Sequence, residues 1–186
     1  MASAGPVIVT GSEGPVGRRL RALLPEMIGV DEAEGADLRL DLAHDDFNAT
    51  GLQAVLAKAG AVLHLHTSAD PTAPAESHVS GMEGTTRLVR ACGALRVPRL
   101  VLAASQLAAP DHAPHARGAV ARIGHAIDAI VAAYDSLPGC SAQALSLGWV
   151  PHDLSLLDHA PDWLRAGYWT DDVLGAAVQG ALGLAR

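Results

Sequence analysis

Lysine, cysteine and aromatic residues are all scarce in this chain, and each shortage closes off a class of protein. Lys58 is the only lysine, and the basic residues form no run; 20 acidic against 13 basic residues leave a formal charge of −7. Nucleic acids and anionic membranes are recognised through clustered Lys and Arg, so neither is expected as a partner. Cys92 and Cys140 are too few and too isolated for a disulfide framework or a zinc site. No two histidines stand four apart on one helix, so no metal is expected. No apolar stretch reaches the length of a membrane span, and Met1 to Val9 lacks the basic start and long apolar run of a secretion signal. A soluble cytoplasmic protein is the expectation.

What is present supports a folded core. Nearly half of the 186 residues are apolar and only 18% are charged, which suits one domain spanning 1–186. Apolar runs and helical periodicities alternate along the chain. Strands are expected at Pro6–Val9, Met27–Val30, Leu38–Leu40, Ala61–Leu65, Arg99–Ala104 and Ala142–Leu147. Helices are expected from Gly14, with Val16, Leu20, Leu23 and Leu24 on one face, and over Gly51–Ala59, Glu76–Leu95 and Ala119–Tyr134. Val79, Met82, Leu88 and Val89 form the expected buried stripe of the long third helix. Thr170 reads as the N-cap of a last helix running towards Leu184, with Asp171 and Asp172 in its first turn. Alternation of this kind implies a three-layer α/β fold: a Rossmann-like, doubly wound parallel sheet. Residues 110–117 read as a Pro/His-rich loop, and 149–169 as an irregular segment, a candidate lid.

Between the first strand and first helix lies Thr10-Gly-Ser-Glu-Gly-Pro-Val-Gly17. Glycines at that junction allow a tight turn and let the backbone approach a pyrophosphate, which meets free N–H groups at the helix start. Gly11, Ser12, Gly14, Val16 and Gly17 are therefore the candidate cofactor loop. Asp31 closes the next strand, where a carboxylate accepts from a ribose 2′-OH and repels a 2′-phosphate; NAD is expected over NADP if a dinucleotide binds. Glu13 places a carboxylate in the loop expected to face the diphosphate.

These pieces, together with Asp41-Leu42, Ala61-Val-Leu-His-Leu65, Gly84-Thr85, Arg99-Leu-Val-Leu-Ala-Ala-Ser105 and Trp169-Thr-Asp-Asp172, resemble an extended short-chain dehydrogenase/reductase of the NAD-dependent epimerase/dehydratase group. Within it, the chain most resembles the small uronate dehydrogenase-like members. The resemblance implies that Asp41 and Leu42 approach the adenine and that Ser105 matches the catalytic serine. It also implies a Tyr-x-x-x-Lys pair, and here the chain departs: Arg117 and Ala121 stand at those positions, and Gly81 replaces the helix asparagine. Tyr134 lies at the far end of its helix, and Lys58 in an earlier one. The extended substrate lobe shrinks to about twenty residues between the sixth strand and the last helix.

Nine histidines are an excess for this length. His64, inside a strand, reads as a satisfied core residue. His66 follows at the carboxyl end of that strand, where open α/β sheets bind ligands, and an imidazole there suits general acid or base work. Thr67, Arg117, Trp149, His152 and Trp169 are candidate pocket residues, with His112 and His115 in a nearby loop. No Gly-x-Ser-x-Gly elbow surrounds Ser105, which argues against a hydrolase. Three readings stay open. The first is a small-molecule enzyme of non-redox proton transfer (cyclisation, dehydration or isomerisation) in which His66 moves protons and Ser105 orients the substrate, with NAD optional. The second is an NAD-dependent oxidoreductase or epimerase with a rearranged proton relay. The third is a non-catalytic nucleotide-sensing module. Pairing of two copies through the third and fourth helices is a further expectation drawn from the resemblance.

Overall fold

The computed structural model describes residues 5–65, 75–105 and 119–184. Six parallel strands form one sheet: β1 (Val7–Thr10), β2 (Ile28–Asp31), β3 (Leu38–Arg39), β4 (Ala61–His64), β5 (Arg99–Ser105) and β6 (Ser141–Leu147). Their order is β3-β2-β1-β4-β5-β6, so the chain reverses its winding direction between β1 and β4. All four residues of β4 are buried, as expected of a central strand covered on both faces. On β6, at the edge, Gln143 and Ser146 are exposed while Leu145 and Leu147 are buried.

Helices cover both faces. One core joins Ile8, Val62, Leu100 and Leu102 to α2 (Leu52–Leu56), α3 (Ala75–Ala94) and α4 (Ala119–Asp135). The other joins Val9, Leu63, Val101 and Leu147 to α1 (Pro15–Leu23) and α6 (Asp171–Leu182). The expected elements are all present, with ends shifted by a few residues. Helix α2 is shorter than its pattern because Ala57 to Gly60 turn into β4, where Gly60 N donates to Pro6 O at 3.0 Å. The expected α3 stripe is corrected at Val79, which is 69% exposed. The buried face instead runs through His78, Gly81, Thr85, Leu88 and Cys92, and Val79 sits one residue off that three-to-four spacing. Thr170 caps α6 as expected, its hydroxyl accepting from Val173 N at 3.4 Å.

The segment 149–169 holds a 3-10 turn (Leu154–Asp158) and a short helix, α5 (Asp162–Arg165). It is tied at its base, where Trp149 N donates to Gly167 O at 2.7 Å and Trp169 N to Trp149 O at 3.0 Å. Trp149 and Tyr168 meet edge to face with ring centres 6.5 Å apart. Among the described residues, no helix is long and apolar enough to cross a membrane.

Candidate functional site

The glycine turn at the carboxyl end of β1 is built around two positions that exclude a side chain. Gly11 has φ of +74°, which glycine adopts without strain. A Cβ on Gly17 would lie 2.5 Å from Gly11 O and from Ser12 Cα, so α1 packs directly onto the turn. Gly14 differs: a Cβ there would meet only Gly11 O, at 3.4 Å. Its outer side is open, which is the room a pyrophosphate needs. Gly14 also starts α1 with no side-chain cap, and Pro15 has no N–H, so the Val16 and Gly17 amides face the entrance with the positive end of the helix dipole.

Asp31 ends β2 beside this turn. Its Oδ2 accepts from Glu13 N at 2.9 Å and its Oδ1 from Ala33 N at 3.1 Å, leaving one acceptor site on each oxygen. The Glu13 side chain does not stand as an unpaired charge in the phosphate path. Its Oε1 lies 3.2 Å from Arg21 Nη2 and its Oε2 3.7 Å from Arg18 Nε, which draws it towards the β2–β3 connection. Arg21 also holds Asp37 at 3.0 Å. The Gly29 N–H, followed by Arg21, keeps the Asp37 carboxyl below the usual carboxylate range.

Next to Asp31, a cavity of about 330 Å³ opens between the β3–α2 loop and the first half of α3. Glu32, Asp41, Leu42 and Ala43 form one side; Glu76, Ser77, Ser80, Gly81 and Gly84 form the other. Asp41 Oδ1 accepts from Ala43 N at 2.7 Å and Oδ2 from His44 Nδ1 at 2.8 Å. That bond keeps Asp41 below the usual carboxylate range and holds the exposed His44 imidazolium above the usual histidine range. The structure thus ties Asp31 to the turn of Gly11, Ser12, Gly14, Val16 and Gly17, and places Asp41 and Leu42 in the wall of the cavity that begins at the next residue, Glu32.

His64 is fully buried, as its place in β4 led us to expect. The Thr85 hydroxyl donates to Gly81 O at 2.7 Å and so accepts from His64 Nε2–H at 2.8 Å. Nδ1 is hydrogen-bonded to the Thr10 hydroxyl at 2.5 Å. These bonds link the residue before the glycine turn to Gly81 in the cavity wall.

Ser105 ends β5, half-buried, opposite Leu147 of β6. Neither Tyr134 nor Lys58 can serve it. The Tyr134 hydroxyl donates to Val97 O at 2.7 Å, before β5 begins. The strand between spans six residue steps, roughly 20 Å at the usual rise. Burial pushes the Tyr134 phenol well above its ordinary range. Lys58 precedes β4, at that same far end of the sheet. Trp149 and Trp169 are half-buried, Trp169 against the α1–α6 core, while His152 is exposed. His66, Thr67 and Arg117, with His112 and His115, lie outside the described residues. No cluster of three metal-binding side chains occurs among the described residues.

Sequence reasoning did not reach Glu32, Ser77 and Ser80. The one pointer to that wall was the pair Gly81 and Gly84, whose spacing puts two side-chain-free positions on one helix face.

An open, six-stranded parallel sheet with a glycine turn after its first strand and Asp31 ending its second is a Rossmann-like α/β fold. The chain belongs to the NAD dependent epimerase/dehydratase family, whose model matches residues 7–133. A short-chain dehydrogenase/reductase superfamily protein from Agrobacterium tumefaciens with bound NAD is 25% identical. The match has a TM-score of 0.62 and covers 76% of this chain and 48% of that one. The UDP-N-acetylglucosamine 4-epimerase of Methanobrevibacter ruminantium M1, in complex with UDP-N-acetylmuramic acid, is 17% identical at TM-score 0.56, covering 80% and 56%. The GalE-like L-threonine dehydrogenase of Cupriavidus necator is 14% identical at 0.62, covering 77% and 55%. The last two similarities carry the fold alone. The chain spans about half the length of these structures. No curated protein sequence matches it.

Proposed function

We propose that this chain binds NAD through its adenosine half and uses the scaffold for a small-molecule reaction that no tyrosine–lysine pair runs. The observation that carries this is the adjacency of three features: the uncapped helix start at the glycine turn, the Asp31 carboxylate, and the cavity beginning at Glu32. Val16 and Gly17 amides would hold the pyrophosphate, Asp31 the adenosine ribose, and Asp41 with Leu42 the base. Asp31 and Glu32 together disfavour a 2′-phosphate, hence NAD over NADP. Bound there, NAD would supply a hydride acceptor.

A second reading, proton transfer without the cofactor (cyclisation, dehydration or isomerisation), is favoured by one observation. Of the family's Asn–Ser–Tyr–Lys set only Ser105 remains, and it ends β5, one strand across from β4, which His66 follows. In it Ser105 orients a carbonyl or hydroxyl and His66 moves the proton.

Calorimetric titration with NAD+, NADH and NADP+ separates the two. Saturable NAD binding is expected, weaker for NADP+, and Asp31→Ala should weaken it about tenfold or more, the worth of one hydrogen bond to a charged group. Absence of binding at millimolar cofactor would sink the first reading and leave the second.

A further inference from the structure

The loop after β3 is fastened to α3 at two points on one helix face. Gly84 makes room for it: a Cβ there would lie 3.0 Å from Leu42 Cβ and 3.4 Å from Ala43 N. Three residues on, Arg87 reaches back over the loop. Its Nη1 donates to Leu42 O at 2.7 Å and its Nη2 to Asp45 O at 2.5 Å. Its guanidinium carbon lies 4.8 Å above the ring of Phe47, the only phenylalanine in the chain. Such a planar fork fixes two acceptors at once, which a lysine cannot do.

Within the loop the bonds close on themselves. Asp41 N donates to Asp45 Oδ2 at 2.8 Å, and the Asp41 carboxylate is engaged by Ala43 N and His44. Residues 41–47 therefore behave as one unit that Arg87 docks onto α3. Leu42 and Ala43 form one wall of the 330 Å³ cavity, Gly81 and Gly84 the other. Arg87 is not among the lining residues, yet it sets the distance between the walls.

We infer that Arg87 is a positioning residue for base selection. By holding the Leu42 and Asp45 carbonyls it fixes where the Asp41 carboxylate stands against α3. The cavity then takes an adenine, whose exocyclic amine can donate to Asp41, over a hypoxanthine, whose C6 oxygen would meet the same negative charge. This inference rests on the reading that the adenosine half of NAD occupies this cavity.

The test is to measure Kd for NAD and for nicotinamide hypoxanthine dinucleotide with the wild-type chain, Arg87→Lys and Arg87→Met. The wild type should prefer NAD by about tenfold. Both variants should lose most of that preference, to within about twofold, because neither can clamp two carbonyls. A variant that melts earlier yet keeps the full preference makes Arg87 merely structural and overturns the inference. Equal wild-type affinity for the two dinucleotides overturns it too, while leaving NAD binding intact. If the wild type binds neither, the reading of the cavity itself has failed. Should Arg87→Met not fold, Phe47→Leu keeps both carbonyl bonds but removes the ring beneath the guanidinium. With the clamp intact it should keep most of the preference, and a preference lost while both carbonyl bonds remain counts against the inference.

Discussion

On the β1–β3 side of the sheet, nearly every candidate residue is held by a bond to backbone. Asp31 takes two amides, Asp41 takes another, Asp37 takes Gly29 N at 2.7 Å, and Arg87 takes two carbonyls. On the β5–β6 side the candidate chemistry depends on single side chains. Arg117 and Ala121 stand where the family's Tyr and Lys would be, and the only tyrosine in α4 is at the other end of the strand. The contrast is instructive. A candidate site made of backbone shape persists as long as the fold does, whereas one made of individual side chains can change without disturbing a strand.

The sharpest way to break that contrast is Gly17→Ala. Its Cβ would meet Gly11 O and Ser12 Cα at 2.5 Å, and both are backbone. Overpacking of this kind costs about 2–3 kcal/mol, a fall in melting temperature of roughly 5–10 °C for a domain this size. Melting within a degree of wild type would mean that the turn is not packed as described.

Thr85→Val probes the buried link between the turn and the cavity wall. The swap keeps the shape but removes the acceptor of the His64 Nε2–H, with both residues fully buried. A cost of about 1–3 kcal/mol is expected, read by denaturant unfolding. A neutral result would show that the chain Thr10–His64–Thr85 contributes no stability.

The smallest expected effect is at the cavity rim. His44 has a raised pKa and Asp41 a lowered one, chiefly through their mutual bond. The histidine's contribution is complete below its ordinary value of 6.5 and disappears as pH rises through the raised folded value. The aspartate's is complete above 3.8 and disappears as pH falls through the lowered one. The pair is therefore strongest between those ordinary values. Glu83 and Arg87 also face the ring, with opposing influence. In an NMR titration, Asp41→Asn should bring the His44 pKa back down, and an unmoved pKa would mean that the pair does not form in solution.

The sheet was legible from pattern because covered parallel strands read as short apolar runs, and Ala61-Val-Leu-His64 is one of them. The glycine turn was legible because Gly11 and Gly17 answer to backbone geometry that local spacing records. Val79 was misread because one residue of phase decides which side of a helix is buried. Glu13 could not be read correctly without knowing that Arg18 and Arg21 lie one and two turns along α1. Arg87 and Ser80 were invisible for another reason: their roles exist only where α3 meets a loop some forty residues earlier, a juxtaposition that no local periodicity encodes.

The bridge between Trp149 and Tyr168 has a consequence for how this architecture varies in size. With both ends pinned side by side, the stretch from 150 to 167 enters and leaves the sheet edge at one point. The entropic cost of a closed loop grows only logarithmically with its length. A far longer insertion could be spliced between those two residues without changing the register of β6 or the seat of α6. The site is a natural port for module grafting, where a foreign lobe can be added while the sheet behind it stays as it is.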